Sequence, residues 1–435
     1  MLNALPLVDD FAELRAREFA RLDESGEAYL DYTGSALYGE SQLRRHHELL
    51  RHVILGNPHS DSAPSRASTT LIDAARHRVL RFFDVDESTH DVVFTANSTG
   101  AIKLVAESYP FSPRNSFVLS VDNHNSVNGV REYASCAGAS VRYLPLDDEL
   151  RLREPFAALA EHRRTGGLLA FPAQSNFSGV LHPLSLIPYA HKLGFDVLLD
   201  AAAHVPSHAL SLRDWPADFV AISFYKLFGY PTGLGALIAR RDALARLRRP
   251  WFAGGTVLFA SVAAETHCLR ASHEAFEDGT VDFIGIAALD AGFDLLEEAH
   301  MPRITAHVEN LTALALDGLR PMRHVRIHGP RNMNSRGGTI AFNIDGVPYW
   351  DVEARAREAG ISVRGGCFCN PGASEAAFGL DASRISRCLA TLGSSFTPQR
   401  FSECAETPIG AVRASFGLAN NENDVRRLLG FVAAL

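Results

Sequence analysis

Lys226 is the residue around which chemistry can be built. It follows the apolar, β-branched run Phe219-Val220-Ala221-Ile222, which reads as a buried strand. It precedes Gly229, Pro231, Gly233 and Gly235, which break the chain into a loop. An ammonium at the mouth of a buried strand is costly unless it is paired or its nitrogen reacts. Buried lysines of lowered pKa form imines with carbonyl compounds. A strand-end lysine can equally extend its head to solvent, and this stretch alone leaves both readings open.

Further strand ends carry groups that would complement such an imine. Asn97-Ser98-Thr99-Gly100 lies between a strand and a helix, where free N–H groups, the helix dipole and two hydroxyls can receive a phosphate. Ser and Thr there are also ordinary N-caps. Asp200 ends the run Val197-Leu198-Leu199. It either caps the next turn of the chain or holds a pyridinium N–H, an ion pair of about 4 kcal/mol at contact distance, which makes the ring an electron sink. His124, after the strand SFVLSVD, can lie flat on an aromatic ring. Asn176, after LLAFPAQ, can fix a cofactor oxygen or a substrate carboxylate. Either one alone reads as a loop residue serving nearby backbone. Asp200 followed by Ser223-x-x-Lys226, each at a strand end, is far more specific. Together these groups describe a site for a phosphorylated aldehyde cofactor. No Walker loop is present and no G-x-G-x-x-G follows a strand, which disfavours a nucleotide.

The stretch Arg364-Gly-Gly-Cys367-Phe-Cys369-Asn-Pro-Gly372 is the second centre of reactivity. Two thiols one residue apart are too close for an easy disulfide and lack the paired partner of a zinc site. They are either incidental half-buried thiols or, as the flanking glycines argue, part of a mobile exposed loop. Arg364 can favour the thiolate that attack on sulfur requires. Cys136, Cys268, Cys388 and Cys404 have no such setting and read as structural. His46, His47 and His52 share a helix but lack the ligand spacing of a metal site, so a solvated face is expected.

The elements that position these groups follow an alternating pattern. Helical periodicity covers 11–22, 41–55 and 65–83, with a short strand at 28–32. From Asp91 strands and helices alternate: DVVFTA, STGAIKLVAESY, SFVLSVD, SVNGVREYASCAG, VRYLPL, EPFAALAEHRR, GGLLAFPA, LSLIPYAHKLG and FDVLLDAA. Unbroken apolar runs such as VLL and LLAF suit parallel strands covered on both faces, in a doubly wound α/β sheet that binds ligands at the carboxyl ends of its strands. Two long helical patterns (286–298 and 304–319) begin a smaller α+β unit with strands at HVRIHG, GGTIAFNI and AVRASFGL, a helix at DVEARAREAG and a terminal helix NDVRRLLGFVAAL. The expected division is an N-terminal segment 1–30 packing on the small domain, a large domain 31–284 and a small domain 285–435. Residues 378–407 show weak periodicity and read as an insertion or mobile loop.

Composition narrows the class. A chain of 435 residues with 46% hydrophobic and 21% charged residues is an ordinary globular enzyme of one large and one smaller domain. A net charge of −8 without a basic run argues against nucleic-acid binding. The start MLNALPLVDDFAELRAREF has acids where a signal peptide needs positive charge, and no apolar run is long enough to span a membrane, so the cytoplasm is expected. Six cysteines in so long a chain form no disulfide framework, and the thiols are expected to stay reduced.

Asp200, Ser223-x-x-Lys226, His124 and the Ser98-Thr99 turn resemble the class V aminotransferase-fold enzymes that use pyridoxal phosphate. Within them the chain is similar to the cysteine-desulfurase domain of molybdenum-cofactor sulfurases. The resembling stretches GNPHS, FTANSTGAIKLV, DNHNSVNGVREYA, FPAQSNFSG, SFYKLFGYPTGLGALI, FAGGTV, FEDGT and RGGCFCNPGA run through nearly the whole chain. The resemblance implies a fold-type I homodimer with pyridoxal phosphate linked to Lys226, Asp200 on the pyridine nitrogen and His124 stacked on the ring. It places Ser98, Thr99 and Ser223 on the phosphate, with Thr280 reaching it from the partner subunit. It also implies that Arg413 pairs with the substrate carboxylate, that Asn176 lies near the same carboxylate and the ring, and that Cys369 forms a persulfide while Cys367 accompanies it. Two positions depart from many relatives: Tyr225 stands where they have His, and Ala203 where they have Gln, so the roles at phosphate and ring oxygen shift. Tyr225 can still donate to phosphate.

The activity so implied converts L-cysteine to L-alanine and leaves the sulfur on Cys369 for an acceptor the sequence does not name. No counterpart of the sulfurases' further C-terminal domain is expected, which makes the acceptor a separate protein or small molecule. The alternatives are another reaction on the same fold (a C–S lyase, a selenocysteine lyase, an epimerase or an aminotransferase-like enzyme), a sulfur donor in secondary metabolism, or a non-catalytic protein that kept the fold. Cys369 separates the first of these from a desulfurase, because a lyase or epimerase does not need it.

Overall fold

The computed structural model describes residues 11–163 and 165–435. The first ten residues of the expected N-terminal segment, and Arg164, lie outside them. Seven strands form the principal sheet, in the order His90–Thr95, Gly235–Arg240, Phe219–Ser223, Phe195–Asp200, Gly167–Pro172, Ser116–Ser120 and Ser140–Leu144. Four neighbouring pairs are parallel, and Gly235–Arg240 runs antiparallel to both of its neighbours. The sheet is therefore mostly parallel, as the unbroken apolar runs require. Alternate residues feed two separate cores: Leu169, Phe171, Val197 and Leu199 pack on one face, and Leu168, Ala170 and Leu198 on the other.

The strand direction sets the location of the site. Thr95, Ser120, Pro172, Asp200 and Ser223 all end strands that run the same way, so the segments after them gather along one rim. A second, antiparallel sheet orders Val325–His328, Thr339–Ile344, Ala411–Ser415 and Arg364–Gly366. The N-terminal part joins this half: Ala28–Tyr29 pairs in parallel with Ile361–Ser362, and Arg15 donates to Asp424 at 2.7 Å.

Four expectations need correction. Residues 378–407 are no loop: Ala382–Leu392 and Pro398–Ala405 are helices packed around Cys388, Leu392 and Phe401. Cys388 and Cys404 are joined as a disulfide that closes this hairpin, so not all thiols stay reduced. His46 does not face solvent but is buried, with Nδ1 2.7 Å from the Tyr230 hydroxyl and Nε2 3.1 Å from the Ile284 carbonyl. Finally, a hairpin of Val257–Ser261 and Thr266–Leu269, not expected from the sequence, exposes Leu258, Phe259 and Val262. Among the described residues no helix is long and apolar enough to cross a membrane, and no group of three or more His, Cys, Asp or Glu could hold a metal ion.

Candidate active site

The Phe219–Ser223 strand turns directly into a one-turn helix, Phe224–Phe228, and Lys226 sits in that turn rather than in a glycine loop. No hydrogen bond or ion pair from the protein holds its amine among the described residues. Burial depresses its pKa; Asp200 opposes this, while Arg413 and Arg364 add to it. Cys369 also lies close enough to favour the charged amine.

The phosphate candidates meet at the start of the Ser98–Ser108 helix. The Ser98 N–H donates to Ser223 Oγ at 2.9 Å, and that hydroxyl lies 3.1 Å from Ser98 Oγ. Asn97 caps the helix by accepting from the Gly100 N–H at 3.0 Å. Gly235 permits this closeness, since a Cβ there would lie 2.5 Å from the Asn97 backbone. Thr99 Oγ1 is 2.7 Å from Ser126 Oγ, which is 2.9 Å from His124 Nδ1. The Ser126 N–H donates to the same Nδ1 at 3.1 Å, so that nitrogen accepts and the imidazole proton resides on Nε2. Burial keeps His124 neutral by lowering its pKa, against the pull of Asp200.

Asp200 is largely buried at its strand end and accepts from the Ala202 N–H at 3.0 Å. Tyr225 is half-buried, its phenol pKa raised by burial and by Asp200 and lowered by Arg364. Thr280 stands apart: its hydroxyl accepts from Asn57 Nδ2 at 3.3 Å, and it lines a cavity with Thr95, Gly100 and Lys103.

The cysteine loop closes the other side. Phe368 and Cys369 both adopt left-handed backbone, with φ of 57° and 56°, a conformation L residues hold only when other contacts enforce it. The enforcing contacts are polar. Asn176 Nδ2 donates to the Phe368 carbonyl at 2.7 Å, and the Asn125 N–H donates to the Cys369 carbonyl at 2.7 Å. Asn370 Nδ2 donates to Asp122 Oδ1 at 2.5 Å and to Asn176 Oδ1 at 2.9 Å. Asp122 is fully buried and also meets Ser175 Oγ at 2.9 Å and His182 Nε2 at 2.8 Å. Gly372 is required where the loop ends, because a Cβ would lie 2.1 Å from the Val121 carbonyl oxygen. Cys369 itself is exposed and Cys367 partly so.

Arg413 is buried beneath this loop. Its Nη1 donates to the Asn176 carbonyl at 2.9 Å, its Nη2 to Asp31 Oδ1 at 2.8 Å, and its guanidinium lies 4.7 Å from the Phe368 ring centroid. Arg364 is bound to Asp31 as well, through Nε at 2.9 Å and Nη2 at 2.5 Å, so its charge is matched there and is not free to serve Cys369 alone.

The fold thus brings Ser98, Thr99, His124, Asn176, Asp200, Ser223, Tyr225, Lys226, Arg364, Cys369 and Arg413 to one rim; Thr280 is not joined to them within the chain. Sequence reasoning missed Asp31, Asp122, Ser126 and Asn370. Asp31 and Asp122 carry the signal that singled out Asp200, an acid closing an apolar run. Ser126 and Asn370 carry none, since what matters is which side chains they meet.

The aminotransferase class-V family model matches residues 28–428. The chain is 35% identical over 473 residues to a molybdenum cofactor sulfurase of Arabidopsis thaliana, covering 97% of this chain and 57% of that one. It therefore spans little more than half the length of such relatives. In three dimensions it resembles a cysteine desulfurase of Thermococcus onnurineus solved in its apo form, with a TM-score of 0.82 at 24% identity and 97% of both chains covered. A cysteine desulfurase of Escherichia coli aligns with a TM-score of 0.79 at 24% identity, over 98% of both chains.

Proposed function

The chain belongs to the class-V aminotransferase family, and from that premise we propose that it is a pyridoxal-phosphate-dependent cysteine desulfurase, taking L-cysteine to L-alanine and leaving the sulfur as a persulfide on Cys369. The observation that carries the reading is that the rim bearing Lys226 also holds the cysteine loop: the Asn125 N–H donates to the Cys369 carbonyl and Asn176 Nδ2 to the Phe368 carbonyl, each at 2.7 Å.

The residues present fit the cofactor. An amine without a protein partner, a strand-end carboxylate with a single backbone donor and hydroxyls clustered at a helix N-terminus are what a phosphorylated pyridine aldehyde would complete. Lys226 would hold its aldehyde carbon, Asp200 its ring nitrogen, and Ser98, Thr99 and Ser223 its phosphate, with Tyr225 a further donor; His124 would lie against the ring. When bound, the cofactor supplies an electron sink for charge developing at the substrate α-carbon.

The chain's own groups do the rest. Arg413 and Asn176 orient the amino acid through its carboxylate. Lys226, kept towards its neutral form by burial, takes the α-proton. The Cys369 thiolate attacks the substrate sulfur, so that an S–S bond forms as the Cβ–S bond breaks. The products are alanine and a Cys369 persulfide, ready for a separate acceptor.

The rest of the reading concerns assembly. We take residues 31–284 as the large domain and 285–435 as the small one, with the segment to residue 30 packed on the latter; the Ala28–Tyr29 pairing with Ile361–Ser362 supports this. A homodimer is supported by a contiguous stretch of exposed apolar side chains, Trp251, Phe252, Leu258, Phe259 and Val262, the last 97% exposed. Such a partner would bring its own Thr280 to the phosphate. A cytoplasmic site of action completes the proposal.

Cys369→Ser is the test of the reaction. Alanine formation from L-cysteine under reducing conditions should fall by about a hundredfold or more, while the absorbance of the bound cofactor persists. Unchanged alanine formation in that variant would sink the persulfide role.

A further inference from the structure

Three charged side chains, Arg413, Arg364 and Asp31, meet beneath the cysteine loop, and only Arg413 has a place in the proposed reaction. Arg413 and Arg364 both close on the Asp31 carboxylate, at 2.8 Å and 2.5 Å. Asp31 is itself fixed by a backbone bridge to Ser415. Packing around the carboxylate is tight: a Cβ on Gly34 would lie 2.4 Å from Asp31 Oδ2 and 2.6 Å from Arg364 Nη2. Two guanidinium groups against one carboxylate leave one net positive charge. Arg413 is 2% exposed and Asp31 9%, so water screens the Arg413 charge weakly, whereas the Arg364 side chain is 49% exposed and its charge is screened.

A second observation points the same way. Arg413 spends Nη1 on the Asn176 carbonyl and Nη2 on Asp31, yet its Nε is buried without any hydrogen-bond partner. A buried donor lacking an acceptor, beside one unmatched positive charge, calls for an anion.

We propose that Asp31 is a positioning and specificity residue: it neutralises Arg364 and orients Arg413, so that the pocket keeps one net positive charge and selects amino acids with a single carboxylate. The inference rests on the reading that an α-carboxylate binds Arg413. A second carboxylate on the substrate finds Arg364 already matched and meets the negative charge of Asp31, which is discrimination by repulsion as well as by fit. Asp31 touches neither the reacting atoms nor the substrate and acts through the two arginines.

The test is a charge-count cycle on the cofactor-loaded protein. L-alanine, with one carboxylate, and L-aspartate, with two, are titrated calorimetrically into wild type, Asp31→Asn, Arg364→Gln and the double variant. Wild type should bind aspartate at least about tenfold more weakly than alanine. In Asp31→Asn the ratio should move at least about tenfold towards aspartate. Arg364→Gln leaves no net charge, and alanine should bind at least about tenfold more weakly with no gain for aspartate. The double variant restores one positive charge and should bind alanine within about threefold of wild type. KM for L-cysteine should follow the alanine affinities, with kcat moving far less.

A merely structural Asp31 predicts losses that add and an unchanged alanine-to-aspartate ratio, and that result overturns the proposal. If Asp31→Asn does not fold, the remaining comparison decides: a double variant binding alanine no better than Arg364→Gln also overturns it. Failure of alanine to bind wild type at all would instead overturn the carboxylate role of Arg413, and this inference with it.

Discussion

The Lys226 side of the site hangs on strand ends of a seven-stranded sheet, whereas the Cys369 side hangs on side-chain amides. Lys226 has regular helical backbone, anchored by a strand buried along its whole length. Cys369 follows Phe368 in a left-handed pair, each residue at a cost of about 1–3 kcal/mol, and is restrained by Asn176, Asn370 and the Asn125 N–H. The first arrangement fixes a reacting group within a rigid frame. The second holds a reacting group in one place while leaving it exposed and releasable. Under the proposed function the second suits a thiol that would collect sulfur at one point and deliver it at another, and the first suits a lysine that would hold a cofactor.

Breaking the rigid side has the largest expected effect. Lys226→Ala should lower alanine formation at least about a thousandfold, while the thermal midpoint stays level because no hydrogen bond or ion pair to the amine is lost. A collapsed midpoint would show that the lysine, not the sheet, holds the frame.

Acid should loosen the same side. His204 and His208 stack at 5.0 Å just beyond Asp200, and burial lowers their pKa values to about 3 and about 4. Both lie below the unfolded value, so unfolding takes up protons as the pH falls below 6.5, and stability drops from there towards pH 4. At pH 5 the loss should be about 2 kcal/mol for each histidine, read from urea midpoints against pH. A flat profile between pH 7 and 5 would contradict it.

The Cys388–Cys404 disulfide tests how far the cysteine side extends. It closes a separation of 16 residues, and Cys388→Ser with Cys404→Ser should cost about 3 kcal/mol. The cost should appear as faster proteolysis or amide exchange confined to the two helices after the cysteine loop, with alanine formation unchanged. Spread of exchange into 367–370 would mean that the hairpin also braces the loop.

The smallest effect belongs to the loop's own tether. Asn370→Ala leaves Asp122 Oδ1 and Asn176 Oδ1 each short of a donor, at about 1–3 kcal/mol. Alanine formation should drop about tenfold with cofactor absorbance intact, and the amides of 367–370 should exchange faster. Equal loss of cofactor binding would erase the contrast between the two sides.

Particular residues show why some of this is legible in the sequence and some is not. Asp200, Ser223 and Lys226 stand out because each is a polar group where an apolar run stops, a local contrast that needs no fold to be seen. Asp31 and Asp122 offer the same contrast, but their meaning lies in partners hundreds of residues or a sheet away: Asp31 meets Arg364 and Arg413, and Asp122 meets Asn370. The 378–407 segment misleads because its two short helices bury only Cys388, Leu392, Phe401 and Ala405, in a small cluster of their own rather than in the main core. His46 reads as a surface residue because its helix is otherwise polar, and only the packing of Tyr230 and Ile284 against it makes it buried.

Sequence by itself determined the mostly parallel sheet and the rim along which its polar strand ends gather, because burial and strand alternation are written in local patterns of residue type. Tertiary structure alone decided how the candidate site is held: which carboxylate matches the two arginines and which amides restrain the cysteine loop. Those outcomes depend on distances between segments remote in the chain, and electrostatic and hydrogen-bond energies are set by distance rather than by order in the sequence.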